Sequence, residues 1–134
     1  MNTLHQSKTL QLLEGGQQYF PALIGAIDGA SSWVQFETYI FDVHRAGETV
    51  AEALLRAARR GVRVDVLVDG IGSDPLPPAW QQKMKEAGVQ WVVYSPLASG
   101  LGGLGLLVPE RWRRLHRKLC VVDQHTVFCG GINV

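Results

Sequence analysis

His116 and Lys118 stand two positions apart in the run Leu115-His116-Arg117-Lys118-Leu119-Cys120-Val121-Val122-Asp123. The run is apolar and β-branched enough to form a strand, in which successive side chains alternate faces. His116 and Lys118 are therefore expected on one side, with Leu115, Arg117 and Leu119 on the other. An imidazole beside a fixed ammonium suits phosphate-ester chemistry. The imidazole attacks phosphorus or carries a proton, and the ammonium holds the charge that spreads over the non-bridging oxygens. Asn133 follows the Gly130-Gly131 pair. If the strand after the turn runs back along the first, its amide becomes a neutral donor to the same oxygens. Asp123 closes the first strand where a turn begins, a position that favours capping or local pairing over direct chemistry.

The spacing His116-x-Lys118-x4-Asp123-x6-Gly130-Gly131-x-Asn133 resembles the HKD signature of the phospholipase D superfamily, with Gly131 where many members carry Ser. Leu13-Glu14-Gly15-Gly16, Glu37-Thr38-Tyr39-Ile40-Phe41, Arg60-Gly61-Val62-Arg63-Val64 and Asp69-Gly70-Ile71-Gly72-Ser73 are similar to the amino-terminal half of bacterial cardiolipin synthases. The resemblance implies a phosphatidyltransferase of phospholipid biosynthesis that works through a phosphohistidine. It makes His116 one of a pair of histidines, the other supplied by a second HKD motif; one forms the phosphohistidine and the other protonates the leaving alcohol. It places His116, Lys118 and Asp123 in the catalytic set, Lys118 and Asn133 on the substrate phosphate, and Gly131 in support. It implies no cofactor and no metal, because these side chains stand in for a divalent ion.

By the same resemblance the substrate is an anionic phospholipid such as phosphatidylglycerol, met peripherally at the cytoplasmic face of the bacterial inner membrane. This sequence holds one copy of the motif. The expectation is that residues 1–134 are the amino-terminal half of a two-motif protein, truncated after Val134, or else a chain that pairs with itself as a homodimer. Two rival readings carry different tests. A homodimeric phosphodiesterase acting on nucleic acid would show a broad basic groove, which the net charge of +1 disfavours. A catalytically silent lipid- or phosphate-binding module would bind vesicles without turnover.

The elements that must position these residues read as an α/β fold: a phospholipase D-like sheet flanked by helices on both faces, in a single, incomplete domain. Residues 1–16 are polar and turn at Gly15-Gly16, which reads as a mobile lead-in or a short edge strand. Phe20, Leu23, Ile24, Ile27 and Ala30 recur at helical spacing and predict a helix over 18–30, with Pro21 in its first turn. Trp33 to Phe41 alternates as a strand, with Gln35, Glu37 and Tyr39 on one side. A carboxylate in a buried strand needs a cation, because an unpaired charge there costs on the order of several kcal/mol. Glu37 thus either lies near the phosphate site and orients His116 or Lys118, or forms an ordinary strand-edge ion pair.

Residues 49–60 predict a second helix, with Glu48 and Glu52 early and Arg56, Arg59 and Arg60 late, matching the helix dipole. Gly61 stops it, and 62–68 follows as a valine-rich strand. Asp69-Gly70-Ile71-Gly72-Ser73 lies where ligands sit in open α/β sheets. It reads mainly as a structural turn, with Asp69 and Ser73 as minor candidates for lining a cleft. Pro77-Pro78 opens a helix that ends before Gly88, and 89–94 is the next strand. The glycine-leucine stretch 97–109 and the cluster Arg111-Trp112-Arg113-Arg114 read either as an apolar flap and basic patch resting on an anionic surface, or as a plain loop and solvated charge.

The 134 residues, 46% hydrophobic and 19% charged, suffice for a buried core. Cys120 and Cys129 are too few for a disulfide framework and read as reduced core residues. His5, His44 and His125 read as exposed or turn residues. The first eight residues lack the apolar region of a signal peptide, and no run approaches the roughly 18 apolar residues of a membrane span.

Overall fold

A computed structural model describes residues 9–94 and 114–134. Helix α1 (Gly15–Asp28) leads into strand β1 (Trp33–Thr38). It is followed by α2 (Ala46–Arg59), β2 (Arg63–Asp69), α3 (Pro78–Ala87), β3 (Gln90–Tyr94), β4 (Leu119–Val122) and β5 (Thr126–Cys129). The five strands form one sheet in the order β3-β2-β1-β4-β5. β1, β2 and β3 are parallel, β4 is antiparallel to β1, and β5 is antiparallel to β4.

The register explains the core. Val34 lies beside Val64 and Val122, and Phe36 beside Val66 and Cys120. All six are buried in one cluster with Leu23 and Ile27 of α1, Val50 and Leu54 of α2 and Met84 of α3. The other sheet face carries Gln35, Glu37, Asp65, Leu67, Leu119 and Val121, none of them fully buried. The α/β sheet expected from the sequence is present; among the described residues its helices cover one face, where the expectation had both. Both β-α-β crossovers step the same way across the sheet, and right-handed connections of that kind place their helices together.

Several boundaries differ from the sequence reading. Helix α1 begins at Gly15, not after it, so Pro21 lies in the second turn. Pro21 and Gln17 are both exposed, so water can take the carbonyl left without an amide. β1 stops at Thr38, whose hydroxyl donates to the Ile40 carbonyl at 2.8 Å and draws the chain into a bend. Cys120 is buried, as expected, and burial pushes its thiol up to about 12, whereas Cys129 is exposed. The two face opposite sides of the hairpin: Cys120 pairs with Phe128 and Cys129 with Leu119. Arg60 caps α1 from α2, its guanidinium donating to the Ile27 and Ala30 carbonyls at 3.0 and 3.2 Å.

This topology gathers one edge. The carboxyl ends of β1, β2 and β3, the start of antiparallel β4 and the end of β5 all lie along it, as ligand sites do in open α/β sheets. The segment after β5 is tied down there, with Val134 N–H donating to Ile40 O at 3.1 Å and Asp42 N–H to Val134 O at 2.9 Å.

Candidate active site

His116 and Lys118 precede β4 rather than standing within it, yet the alternation expected of a strand holds. The His116 imidazole stacks on Tyr39, with ring centroids 4.7 Å apart and planes inclined by 11°. The Lys118 ammonium lies 5.8 Å from the same Tyr39 centroid and donates to the His116 carbonyl at 3.0 Å. Arg117, between them, reaches back to Glu37 on β1, Nε to Oε2 at 3.1 Å.

That last contact corrects one reading of Glu37. It touches neither His116 nor Lys118 but pairs with the arginine between them, the ordinary strand ion pair. The pairing is one of proximity: Glu37 Oε2 is buried, and no donor is aligned well enough to make a hydrogen bond to it. With Glu37 24% exposed and Arg117 68%, charge attraction rather than directed bonding holds them.

Asn133 is brought to the same edge. Its side-chain Oδ1 accepts the Ile40 N–H at 3.1 Å, which leaves the amide NH2 as the end with donors to offer. Ile40 adjoins Tyr39, so Asn133 and His116 are anchored to consecutive residues of one bend. Gly131 is exposed and has no neighbour within 4 Å of where a Cβ would be, so the serine of other members would fit there without displacement.

Asp123 takes the structural role that its position favours. It and Gln124 have φ of 51° and 63°, and His125 N–H donates to Val122 O at 3.2 Å, which closes a tight turn between β4 and β5. Its carboxylate accepts the main-chain N–H groups of Ser31, Ser32 and Trp33 at 2.9, 2.8 and 3.0 Å, and both serine hydroxyls. The Trp33, Ser31 and Ser32 amides hold this carboxyl well below the usual carboxylate range. It sits at the opposite end of β4 from His116 and pins the hairpin to the start of β1.

Asp69 proves more than a turn residue. Its side chain is wholly buried at the end of β2. It accepts N–H groups from Ile71 (2.8 Å), Gly72 (3.0 Å) and Leu115 (2.8 Å) and faces Arg114 at 3.5 Å. Burial acts to raise this carboxyl; the Leu115, Gly72 and Ile71 amides, together with Arg114, outweigh it and leave it below its ordinary value. Arg114, read from sequence as part of an outward basic cluster, instead turns inward, its side chain 16% exposed. Arg111 to Arg113 and the 97–109 stretch lie outside the described residues, as does His5. Ser73, the other minor candidate, donates to Tyr39 O at 2.9 Å and accepts the Phe41 N–H at 3.0 Å.

Sequence reasoning missed the part played by Tyr39 and the partners of Asp69. The available signals were an aromatic residue at the end of the strand carrying Glu37, and a carboxylate followed by glycines at a strand's carboxyl end. Among the described residues no group of three or more His, Cys, Asp or Glu side chains is gathered as a metal site. His44 is exposed, and the exposed ring of His125 meets its neighbour Thr126, Nδ1 to hydroxyl at 3.1 Å.

The arrangement offers a nucleophile or proton carrier, a cation and a neutral donor at one sheet edge. The family described as "Cardiolipin synthase, PLD-like domain" has a sequence model that matches residues 23–134. The chain belongs to this family. Cardiolipin synthase B of Salmonella typhi is 40% identical over 128 residues, covering 96% of this chain and 30% of that protein. Cardiolipin synthase B of Escherichia coli K12 is 38% identical over the same shares. Cardiolipin synthase 1 of Bacillus anthracis is 37% identical over 126 residues, or 94% of this chain and 24% of that protein. This PLD-like domain thus spans 30% or less of those relatives' lengths.

Solved structures agree on the fold of the PLD-like domain. Nuc of Salmonella typhimurium, a phospholipase D family member, superimposes with a TM-score of 0.57 at 23% identity, covering 84% of this chain and 62% of that one. NucT of Helicobacter pylori gives 0.50 at 20% identity, covering 84% and 65%.

Proposed function

We propose that this PLD-like domain is the amino-terminal half of a phosphatidyltransferase that makes cardiolipin from two phosphatidylglycerol molecules. The observation that carries the reading is the match of a cardiolipin synthase family model across a chain in which the His116 imidazole, the Lys118 ammonium and the Asn133 amide lie at one sheet edge. A ring nitrogen of His116 attacks the phosphorus of one phosphatidylglycerol, forming a P–N bond. The P–O bond to glycerol breaks, and a second histidine protonates the departing alkoxide. A hydroxyl of the second phosphatidylglycerol then gives its proton to that histidine and attacks phosphorus, and the P–N bond breaks.

Lys118 holds the non-bridging oxygens, and Asn133 donates its amide N–H to them as charge accumulates. The second histidine comes from another HKD motif, in the same polypeptide or across a homodimer axis. The domain meets its lipid from the surface at the cytoplasmic face of the inner membrane. No helix among the described residues is long and apolar enough to cross a membrane.

The test is cardiolipin formation from phosphatidylglycerol vesicles by the complete two-motif protein. His116→Ala and Lys118→Ala should each lower the rate by roughly 10³-fold or more while leaving thermal unfolding unchanged. Acid-labile phosphate on the protein should vanish in the first variant. Undiminished transfer by either variant refutes the assignment.

A further inference from the structure

We infer that Tyr39 is a positioning residue for the His116–Lys118 pair, acting through its ring and not its hydroxyl; its effect on transfer rests on the reaction proposed above. Among the described residues no hydrogen bond reaches either ring nitrogen of His116, so the near-parallel stack at 4.7 Å and 11° is the contact that sets the plane of the imidazole. A ring held flat keeps both nitrogens at its rim, free of the sandwich and open to phosphorus or to a proton. The centroid of the same ring lies 5.8 Å from the Lys118 ammonium. A π face attracts an ammonium, and it attracts an imidazolium too, so the platform serves His116 in either protonation state.

Tyr39 is itself fixed from several directions. Its carbonyl accepts the Ser73 hydroxyl at 2.9 Å, and its neighbour Ile40 is held by Asn133 at 3.1 Å. Gly72 packs so closely that a Cβ there would come within 2.5 Å of the Tyr39 carbonyl oxygen and 2.7 and 2.8 Å of two ring carbons. Glycine is therefore required at 72 for proximity, and Asp69 locks that glycine by accepting its N–H at 3.0 Å. The same carboxylate holds Leu115, so both the platform and the chain bearing His116 trace to one buried anion.

The ring predicts a signature independent of turnover. In the 134-residue chain, the carbon-bound ring protons of His116 should be displaced upfield in the NMR spectrum by the Tyr39 ring current. Tyr39→Phe should keep that displacement, and Tyr39→Leu should abolish it. Gly72→Ala, which pushes on Tyr39 without altering its ring, should also diminish it and serves if Tyr39→Leu fails to fold. In the complete protein, Tyr39→Phe should transfer phosphatidyl groups like the parent. Tyr39→Leu should lose roughly 10²-fold in kcat with little change in KM, as expected when a reacting group is misplaced by about 1 Å. An unchanged His116 spectrum in folded Tyr39→Leu, or a Phe variant as impaired as Leu, overturns the inference. If the parent protein shows no transfer, the reaction fails while the spectra still decide the stack.

Discussion

The carboxylate of Asp69 accepts the main-chain N–H of Leu115 at 2.8 Å, joining positions 46 apart in sequence one residue before His116. Because Asp69 is wholly buried, its charge is tolerated only through three amides and Arg114. Asp69→Asn preserves size and one acceptor but removes that charge. It should lower unfolding stability in denaturant by about 3 kcal/mol and loosen the segment that carries His116. A loss within about 0.5 kcal/mol, the range of an ordinary surface change, would mean that the site does not depend on this anion.

Asn133 accepts the Ile40 N–H through Oδ1, and the proposed reaction gives its amide NH2 a second role. Asn133→Asp keeps an oxygen to accept the Ile40 N–H, so the bend should persist and thermal unfolding should stay close to that of the parent. The donor to phosphate is lost, and cardiolipin formation should fall by roughly 10²-fold. Full activity in Asn133→Asp would show that the amide NH2 does not face the substrate.

Asp123 sets an expectation for pH. Its folded carboxyl lies below the ordinary value, chiefly through the Trp33 amide and then those of Ser31 and Ser32. A carboxyl depressed in the folded state contributes its full stability above its unfolded pKa of about 3.9, and that contribution is lost as pH falls toward the folded value. The stability gap between parent and Asp123→Asn should thus be widest near neutrality and shrink below about pH 4. Denaturant titrations at several pH values measure it, and a gap constant with pH contradicts the assignment.

Arg117 and Glu37 form a pair whose members are unequal. Arg117→Met strands a buried oxygen, so it should cost about 1 kcal/mol and more than Glu37→Gln. The double variant should regain part of the loss, because neither charge is then left alone. Strict additivity in unfolding measurements would show that the two do not interact.

Much of this was legible from the chain. Val64, Val66 and Val68, one glycine after an arginine-ended helix, mark a β-α-β unit because its pattern is local. The alternation of His116, Arg117 and Lys118 survives because each side chain has a partner on β1 or in the bend after it, even though the strand proper begins at Leu119. Long-range partners leave no such trace. Nothing near Asp69 announces Leu115, and nothing near Asp123 announces Ser31 and Ser32. Glu37, a carboxylate on a half-buried strand, calls for a cation, but alternation alone does not say which of the neighbouring basic residues it meets. Cys129 looked like a core residue because its neighbours are apolar, yet it falls on the hairpin face turned from the helices.

The pairing of β4 with β1 has a kinetic side. β1, β2 and β3 join through nearby segments, whereas Asp123 meets Trp33 across 90 positions. Closing so long a loop delays contact formation. Amides of Val64 and Val66 should accordingly gain protection from hydrogen exchange during refolding before those of Cys120 and Val122. The parallel scaffold then matures first, and His116 reaches its edge only when the β4–β5 hairpin docks on β1.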